Sequence, residues 1–283
     1  MRRLSIRTED NINLKGFLFT SKVKTKKCVL FIPGLEGNYI ECDFIDLLAE
    51  VFTNNNYDFL CSHIRSSMQM FNSQPRLGEK YPILTGAAFE KFTDCTLDIN
   101  AWMDEIVSLG YSEIYVVSHS YGSNKMIYYL NRVHKYDNYL KKIVLISPID
   151  CVGRNRKRHN YTELINTAQK NIQEGNGKQL MFCGFFYQTY ENFIDFMTNP
   201  SVDNFPIFSL GSKNFNEFNN IKIPKILVYG EQEHKYVEII NDLIDRKIIN
   251  SSLYVVKGAN HNYIGSEKEL AKDVFKLMGS ELQ

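Results

Sequence analysis

The fold of this chain is decided by the stretch Val116-Val117-Ser118-His119-Ser120-Tyr121-Gly122. An apolar run precedes Ser120 and a helical pattern follows it, so the stretch predicts a buried strand that turns sharply into a helix. A serine at such a turn is forced into a strained conformation, and small residues two positions before and after it relieve the crowding. Ser118 and Gly122 occupy those positions. We therefore expect the Ser120 hydroxyl at the carboxyl edge of a sheet.

Seven further runs predict strands. Two short opening runs flank residues 9–11, which are typical of a turn, and they indicate an antiparallel pair. The later runs are continuously apolar, as in strands buried on both faces of a parallel sheet, and helical patterns separate them. The predicted strands are residues 4–8, 14–19, 28–32, 58–61, 114–117, 143–146, 226–229 and 253–256. The sequence thus predicts an α/β fold with a mostly parallel eight-stranded sheet and helices on both faces.

The alternation of strands and helices breaks once, between the sixth and seventh predicted strands. The long segment there contains a sequence pattern typical of a helix and many aromatic residues. Because long insertions in compact domains are usually functional, we expect a helical cap that forms a lid over a pocket, with a small satellite core as the alternative. The predicted organisation is a core of residues 1–150 and 222–283 with a cap of residues 151–221.

Two later loops offer partners for Ser120. A serine hydroxyl is a poor nucleophile until a base takes its proton, and His261 is the candidate base because it follows the last predicted strand. A third residue must orient the imidazole and stabilise its charged form. Glu233, after the penultimate strand, is the predicted acid, and Asp150, one strand earlier, is the alternative.

A tetrahedral intermediate on Ser120 would also need hydrogen-bond donors aimed at its oxyanion, each worth about 3 kcal/mol. The turn Pro33-Gly34-Leu35-Glu36-Gly37 directly follows the third predicted strand. We predict the backbone N–H groups of Leu35 and Tyr121 as the two donors. Gly34 is then a candidate for contact with the substrate.

These features resemble the α/β-hydrolase superfamily over almost the whole chain. The resemblance is carried by the order Ser120, acid, His261, by the turn at Gly34 and by the insertion after the sixth strand. One departure is Pro33, which stands where a histidine is usual. Within the superfamily, residues 62–67, 230–233 and 258–262 are similar to a poorly characterised group of bacterial and fungal hydrolases.

The resemblance implies a serine hydrolase that cleaves a carboxylic ester or thioester through an acyl-enzyme on Ser120, with no metal or organic cofactor. Two alternatives share the fold. One is an acyltransferase or cyclase of a biosynthetic pathway, in which an amine or alcohol captures the acyl-enzyme. The other is a non-catalytic protein that binds a small molecule.

Several residues are candidates for contact with a substrate. Arg65 follows the fourth predicted strand and could bind a carboxylate, although a structural salt bridge is the favoured interpretation. The aromatic stretch of the insertion offers Phe185, Phe186 and Tyr187. Residues 153–159 contain four cations, a pattern typical of a solvated loop, which could otherwise hold phosphates of a carrier-bound or coenzyme A thioester.

Composition narrows the partners. The 33 Lys and Arg residues balance 32 Asp and Glu, so no excess charge would attract nucleic acid or an anionic membrane. The expected partner is a small-molecule or carrier-bound acyl substrate, and the sequence does not indicate an oligomeric state. The six cysteines include no Cys-x-x-Cys pair, the basic N-terminus lacks the apolar region of a signal peptide, and no window of about 18 apolar residues predicts a membrane span. We expect a cytoplasmic protein without stable membrane insertion and with buried thiols.

Overall fold

The computed structural model describes residues 1–75, 80–184, 186–209 and 214–279. Its strands are β1 (Arg2–Arg7), β2 (Asn13–Phe19), β3 (Lys27–Ile32), β4 (Asp58–Ser62), β5 (Phe71–Ser73), β6 (Ile83–Thr85), β7 (Glu113–His119), β8 (Leu140–Ile146), β9 (Leu180–Phe182), β10 (Tyr187–Thr189), β11 (Lys225–Gly230) and β12 (Ser252–Val256). Its α-helices are α1 (Phe44–Asn54), α2 (Cys95–Ser108), α3 (Tyr121–Leu130), α4 (Cys151–Arg156), α5 (Tyr161–Gln173), α6 (Tyr190–Thr198), α7 (Asn216–Asn220), α8 (His234–Asp245) and α9 (Glu267–Gly279). Short 3-10 helices lie at Arg65–Ser67, Phe92–Asp94 and Glu231–Glu233.

Eight of these strands form one sheet in the order β1-β2-β4-β3-β7-β8-β11-β12. β2 pairs antiparallel with both β1 and β4, whereas all other neighbours in the sheet are parallel. The prediction of a mostly parallel eight-stranded sheet is therefore confirmed. Because parallel strands run in the same sense, the loops after β3, β7, β8, β11 and β12 all lie at one edge.

The central strand β3 shows why the sheet is covered on both faces. Leu30 and Ile32 pack into an apolar cluster that includes α2 and α3, whereas Val29 and Phe31 pack into a second cluster with α1 and α9. All four side chains are fully buried. Successive side chains of a strand point to opposite sides, so a strand between two helical layers needs a continuous apolar run.

The segment between β8 and β11 contains α4 to α7 and the antiparallel pair of β9 and β10. Its helical character is as the sequence predicted, but that pair and the similar pair of β5 and β6 were missed, because strands of three residues are too short for a periodic pattern. Phe193, Phe205 and Phe215 of this segment are buried in the same cluster as α2 and α3. The insertion thus shares the main core, and its boundaries and its role as a lid stay predictions.

Arg65 is buried in an ion-pair cluster. Its guanidinium lies 2.8 Å from Asp98, 2.9 Å from Asp10 and 3.1 Å from Asp94, and 4% of its side chain is exposed. Three carboxylates engage the charge, so the structure corrects the prediction that Arg65 binds substrate and agrees with the salt-bridge interpretation. The cluster anchors the 3-10 helix in which the Ser66 carbonyl accepts a backbone N–H of the turn after β3 at 2.7 Å.

The structure also bears on membrane-spanning helices and on the state of the cysteines. No helix in the described part of the chain is long and apolar enough to cross a membrane. The six cysteines are free thiols, and five of them are buried. Burial raises the pKa of the Cys28, Cys61 and Cys95 thiols well above its ordinary value, so these side chains stay protonated and pack as apolar groups.

Candidate active site

Ser120 lies at the turn between β7 and α3, with φ 52° and ψ −127°. A positive φ is strained for a residue with a Cβ and persists only when the surroundings hold it. Here the Ser120 N–H donates to the carbonyl oxygen of Ile146 on the neighbouring strand at 2.8 Å. Gly122 passes so close to the carbonyl of Pro33 that a Cβ there would overlap with it. The turn therefore requires the glycine that the sequence places two residues after Ser120.

Ser118 stands two residues before Ser120, where this kind of turn usually has glycine. Its side chain is fully buried, and its hydroxyl lies 3.1 Å from that of Ser123. Ser123 in turn donates to the carbonyl of Ile146 at 3.3 Å. Because a buried hydroxyl with a partner costs little, the turn accommodates serine at this position.

Three predicted side chains meet at the carboxyl edge of the sheet. His261 Nε2 lies 2.9 Å from Ser120 Oγ, and His261 Nδ1 lies 2.7 Å from Glu233 Oε1. Ser120 follows β7, Glu233 ends the 3-10 helix after β11, and His261 lies in the loop after β12. The structure thus joins them in one chain of hydrogen bonds, with Glu233 8% exposed and His261 34% exposed.

Asp150, the alternative acid, is used elsewhere. Its two carboxylate oxygens accept the N–H groups of Gly153 and Phe208, each at 2.6 Å, and the first of these bonds caps α4. Burial raises the pKa of Asp150, and these N–H groups oppose that shift. The carboxylate therefore holds the backbone of the insertion, and Glu233 is the acid that contacts His261.

Ser147 and Tyr263 belong to the site but were not predicted from the sequence. The Ser147 hydroxyl donates to Glu233 Oε2 at 2.5 Å and lies 2.9 Å from the Tyr263 hydroxyl. The Gly230 N–H donates to the same carboxylate oxygen at 3.1 Å. Together these contacts turn the other oxygen of Glu233 toward His261. One signal could have identified Ser147: it directly follows β8, which is the neighbour of β11 in the parallel sheet.

The charge of Glu233 follows from these contacts. Burial alone would raise the pKa of Glu233, but the hydrogen bond and charge of His261, with the Ser147 hydroxyl and the Gly230 N–H, hold it below its ordinary value of 4.5. Glu233 is therefore a carboxylate at neutral pH. A carboxylate facing Nδ1 keeps the proton of a neutral imidazole on that nitrogen, which leaves Nε2 free to accept the Ser120 proton.

Two other histidines near the site have structural roles. Burial lowers the pKa of His119 to about 3, and its Nε2 donates to the carbonyl oxygen of His261 at 2.9 Å. Burial lowers the pKa of His63 to about 4, and its Nε2 accepts the Tyr39 N–H at 3.0 Å. Both rings are neutral and weakly basic at neutral pH, so neither competes with His261 as a base.

The turn after β3 lies against Ser120. A Cβ on Gly34 would come within 3.0 Å of the Ser120 Cβ, so glycine permits this approach. Tyr121 is the first residue of α3, and an N–H there has no acceptor within the helix. In the part of the chain that the structure describes, no hydrogen bond occupies the N–H groups of Leu35 and Tyr121. Both predicted oxyanion donors are thus available.

Two clefts open beside these residues. One of about 460 Å³ borders His261 and Glu233, and one of about 500 Å³ borders Leu35. Arg154 and Lys157 line both clefts. Two cations of the basic run therefore face the candidate active site.

The aromatic residues of the insertion that were predicted to contact substrate differ in their exposure. Phe186 is buried and lines a smaller cavity together with Leu35. Tyr187 is 51% exposed, with its ring centroid 5.2 Å from that of Phe182 at the surface, so the structure does not support it as a substrate contact. Phe185 lies outside the described residues.

Comparison with known proteins shows the fold. No family model and no curated protein matches this chain. Among solved structures, it is similar to Est1E from Butyrivibrio proteoclasticus with ferulic acid bound, at 14% identity and a TM-score of 0.62 over 97% of each chain. It is also similar to the α/β hydrolase GrgF from a Penicillium species, at 12% identity and a TM-score of 0.66 over 98% of this chain and 97% of that one. A third is a soluble variant of monoglyceride lipase from Saccharomyces cerevisiae with a substrate analogue, at 12% identity and a TM-score of 0.65 over 97% and 94%. The chain has the α/β-hydrolase fold.

The Glu233→Gln variant tests the charge of this carboxyl. A carboxyl with a lowered folded-state pKa stabilises the fold above its unfolded value, and this contribution is lost as the pH falls through the folded value. We expect Glu233→Gln to lower the free energy of unfolding by about 1 to 3 kcal/mol at pH about 7, and the difference from wild type to shrink toward pH about 3. Urea unfolding at a series of pH values measures both.

The matched control is Glu238→Gln, which changes an exposed carboxyl on α8 and should alter stability by less than about 0.5 kcal/mol. A loss in Glu233→Gln that is the same at both ends of the pH series would contradict a lowered pKa.

Proposed function

We propose that this protein is a serine hydrolase that cleaves carboxylic ester or thioester bonds through an acyl-enzyme on Ser120. The observation that carries the proposal is the unbroken chain of hydrogen bonds from Ser120 through His261 to Glu233, at 2.9 and 2.7 Å. Such a chain supplies a nucleophile, its base and the group that orients the base. The monoglyceride lipase among the similar structures supports an ester-cleaving function.

In the first step, His261 Nε2 takes the proton of Ser120 as Oγ attacks the carbonyl carbon. The carbonyl oxygen becomes an oxyanion, and the N–H groups of Leu35 and Tyr121 stabilise it. Glu233 stabilises the imidazolium that forms. His261 then gives its proton to the leaving oxygen or sulfur, the bond to the leaving group breaks, and an ester of Ser120 remains.

In the second step, water replaces the leaving group. His261 takes a proton from the water as its oxygen attacks the acyl carbon, and a second oxyanion forms at the same donors. His261 then returns the proton to Ser120 Oγ, which releases the carboxylic acid and restores the free enzyme. Every proton in this cycle passes through one imidazole nitrogen, so the reaction needs neither a metal nor an organic cofactor.

The alternatives from the sequence differ in what they require of the site. A non-catalytic binding protein has no need for a serine held at a strained φ or for a charged Glu233 buried behind His261. An acyltransferase or cyclase would use the same acyl-enzyme but a different acceptor. Analysis of the products with and without an added alcohol or amine separates transfer from hydrolysis, because transfer yields a new ester or amide in place of the free acid.

The Ser120→Ala variant tests the nucleophile. A fluorophosphonate probe phosphonylates an activated serine, so we expect it to label the wild type and not Ser120→Ala. Hydrolysis of p-nitrophenyl esters should fall by about 10³-fold or more in kcat/KM in Ser120→Ala and His261→Ala, because the two residues act as one unit.

The control is Ser112→Ala, an exposed serine just before β7, which should be labelled and active like the wild type. An unlabelled wild type, or labelling that persists in Ser120→Ala, would overturn the proposal.

Arg154 and Lys157, which line both clefts, favour a substrate whose leaving group carries negative charge. Arg154 and Lys157 are exposed, line both clefts, and form no ion pair among the described residues. The Lys157 ammonium rests 4.4 Å above the ring of Phe208, which also lines the cleft beside His261. Cations at the rim of a site attract a charged ligand and lose this effect as salt screens them. We propose that they attract the phosphates of a coenzyme A or carrier-bound thioester.

The double variant Arg154→Ser with Lys157→Ser tests this attraction. We expect kcat/KM for octanoyl coenzyme A to fall about tenfold, and kcat/KM for the uncharged p-nitrophenyl octanoate to stay within about twofold. The thioester reaction of the wild type should also weaken with added salt. Arg156→Ser, which changes an exposed cation of the same helix, is the control. Equal losses for both substrates would argue against a role in binding the leaving group.

A further inference from the structure

A small cavity lies beside the predicted oxyanion donors. Its volume is about 10 Å³, enough for one water molecule or one hydroxyl group. We call it the polar pocket, and the residues of its lining that matter here are Leu35, Glu90, Tyr121, Phe186, Gln188 and Phe196. Leu35, Tyr121 and Phe196 also line the cleft of about 500 Å³, so the pocket adjoins that cleft.

Three polar atoms in this lining lack partners. Gln188 is fully buried, and neither its amide oxygen nor its amide nitrogen has a hydrogen bond within the described structure. Glu90 is 6% exposed, and its Oε2 is likewise buried and unpaired. Buried polar groups in native proteins are almost always paired, so an unpaired set that shares one cavity indicates a missing ligand or water.

Two other polar side chains of the lining have hydrogen-bond partners. Asn192 donates to the carbonyl of Ala87 at 3.1 Å, and Asp195 accepts the N–H of Phe92 at 3.3 Å. Among the described residues of the lining, the fully buried side-chain atoms without a partner belong to Gln188 and Glu90.

The charge of Glu90 is balanced by a buried lysine. Lys125, fully buried on α3, forms an ion pair with Glu90 Oε1 at 2.6 Å and also donates to the Ser66 hydroxyl. Because Lys125 neutralises the carboxylate, the pocket does not call for a cation. It offers two acceptors, Glu90 Oε2 and Gln188 Oε1, and the two N–H donors of Gln188 Nε2. A neutral hydroxyl can donate to one of these acceptors and accept from the Gln188 amide.

The pocket is held in place by contacts between the insertion and the core. Gln188 lies on β10, and the next residue, Thr189, donates its N–H to the carbonyl of Ala88 at 3.0 Å. The contact of Asn192 with Ala87 fixes the same two segments. Gln188 of the insertion is therefore positioned against the core segment that leads to Glu90, and the site exists before any ligand binds.

We propose that the polar pocket binds a hydroxyl group of the acyl part of the substrate, with Gln188 and Glu90 as its hydrogen-bonding partners. This inference rests on the proposed function, since the acyl carbonyl must lie at Leu35 and Tyr121 for the pocket to be beside it. An acyl chain without a hydroxyl would leave these buried atoms to a trapped water, and a site of this kind discriminates against such a substrate.

The test compares esters within one enzyme. The substrates are p-nitrophenyl hexanoate and its counterparts with a hydroxyl at the second, third or last carbon of the acyl chain. We expect the wild type to favour at least one hydroxylated ester over the plain one by about tenfold or more in kcat/KM. In Gln188→Leu this preference should fall to within about twofold. Because both rates come from the same preparation, a change in the folded fraction cancels from the ratio.

Two further variants complete the design. Gln188→Met keeps the length of the side chain and should lose the preference in the same way if the leucine variant folds poorly. Gln179→Leu removes an exposed glutamine just before β9 and should keep the wild-type preference.

The outcomes separate this inference from the proposed function. A wild type that reacts with the fluorophosphonate probe but shows no preference for a hydroxylated ester contradicts the inference alone, as does a preference that persists in both Gln188 variants. A wild type that neither reacts with the probe nor cleaves any ester overturns the proposed function and the inference with it.

Discussion

The strained turn at Ser120 is the constraint on which the rest of the site depends. A residue with a Cβ at φ 52° costs about 1 to 3 kcal/mol, and neighbouring segments must hold it there. The N–H bond to Ile146 ties the turn to β8, and the passage of Gly122 under Pro33 ties it to the turn after β3. The same contacts that maintain the strain therefore bring Ser120 and the proposed oxyanion donors together.

Further contacts hold Glu233 and His261 in line with Ser120. Ser147, itself at a positive φ of 47°, holds one oxygen of Glu233, and Tyr263 supports Ser147 from the buried side. His119 holds the backbone of His261 through its carbonyl. Groups that act as a catalytic unit must be positioned to within about 0.5 Å, and the residues that position the proposed triad come from the ends of β7 and β8 and from the loop after β12. The parallel sheet is what places those ends side by side.

Much of this arrangement could be predicted from the sequence, because the apolar runs and their order define which loops share an edge. That logic predicts that Ser120, His261 and an acid, Glu233 or Asp150, share this edge, and in the structure Glu233 is the acid that contacts His261. It favoured a salt bridge for Arg65 but could not name the three carboxylate partners, which come from distant segments, and it preferred a solvated loop for cations that line the clefts. Ser147 and Gln188 were missed for the same reason: their roles depend on side chains brought near them only by tertiary packing.

The central claim is that the hydroxyl of Ser120 carries the acyl group during turnover. The most direct measurement is acid quenching of the enzyme during hydrolysis of a p-nitrophenyl ester, followed by intact and peptide mass spectrometry. The account predicts a mass increase equal to one acyl group, located on the peptide that contains Ser120 and absent in Ser120→Ala. Turnover without such an adduct, or an adduct on a different residue, would contradict it.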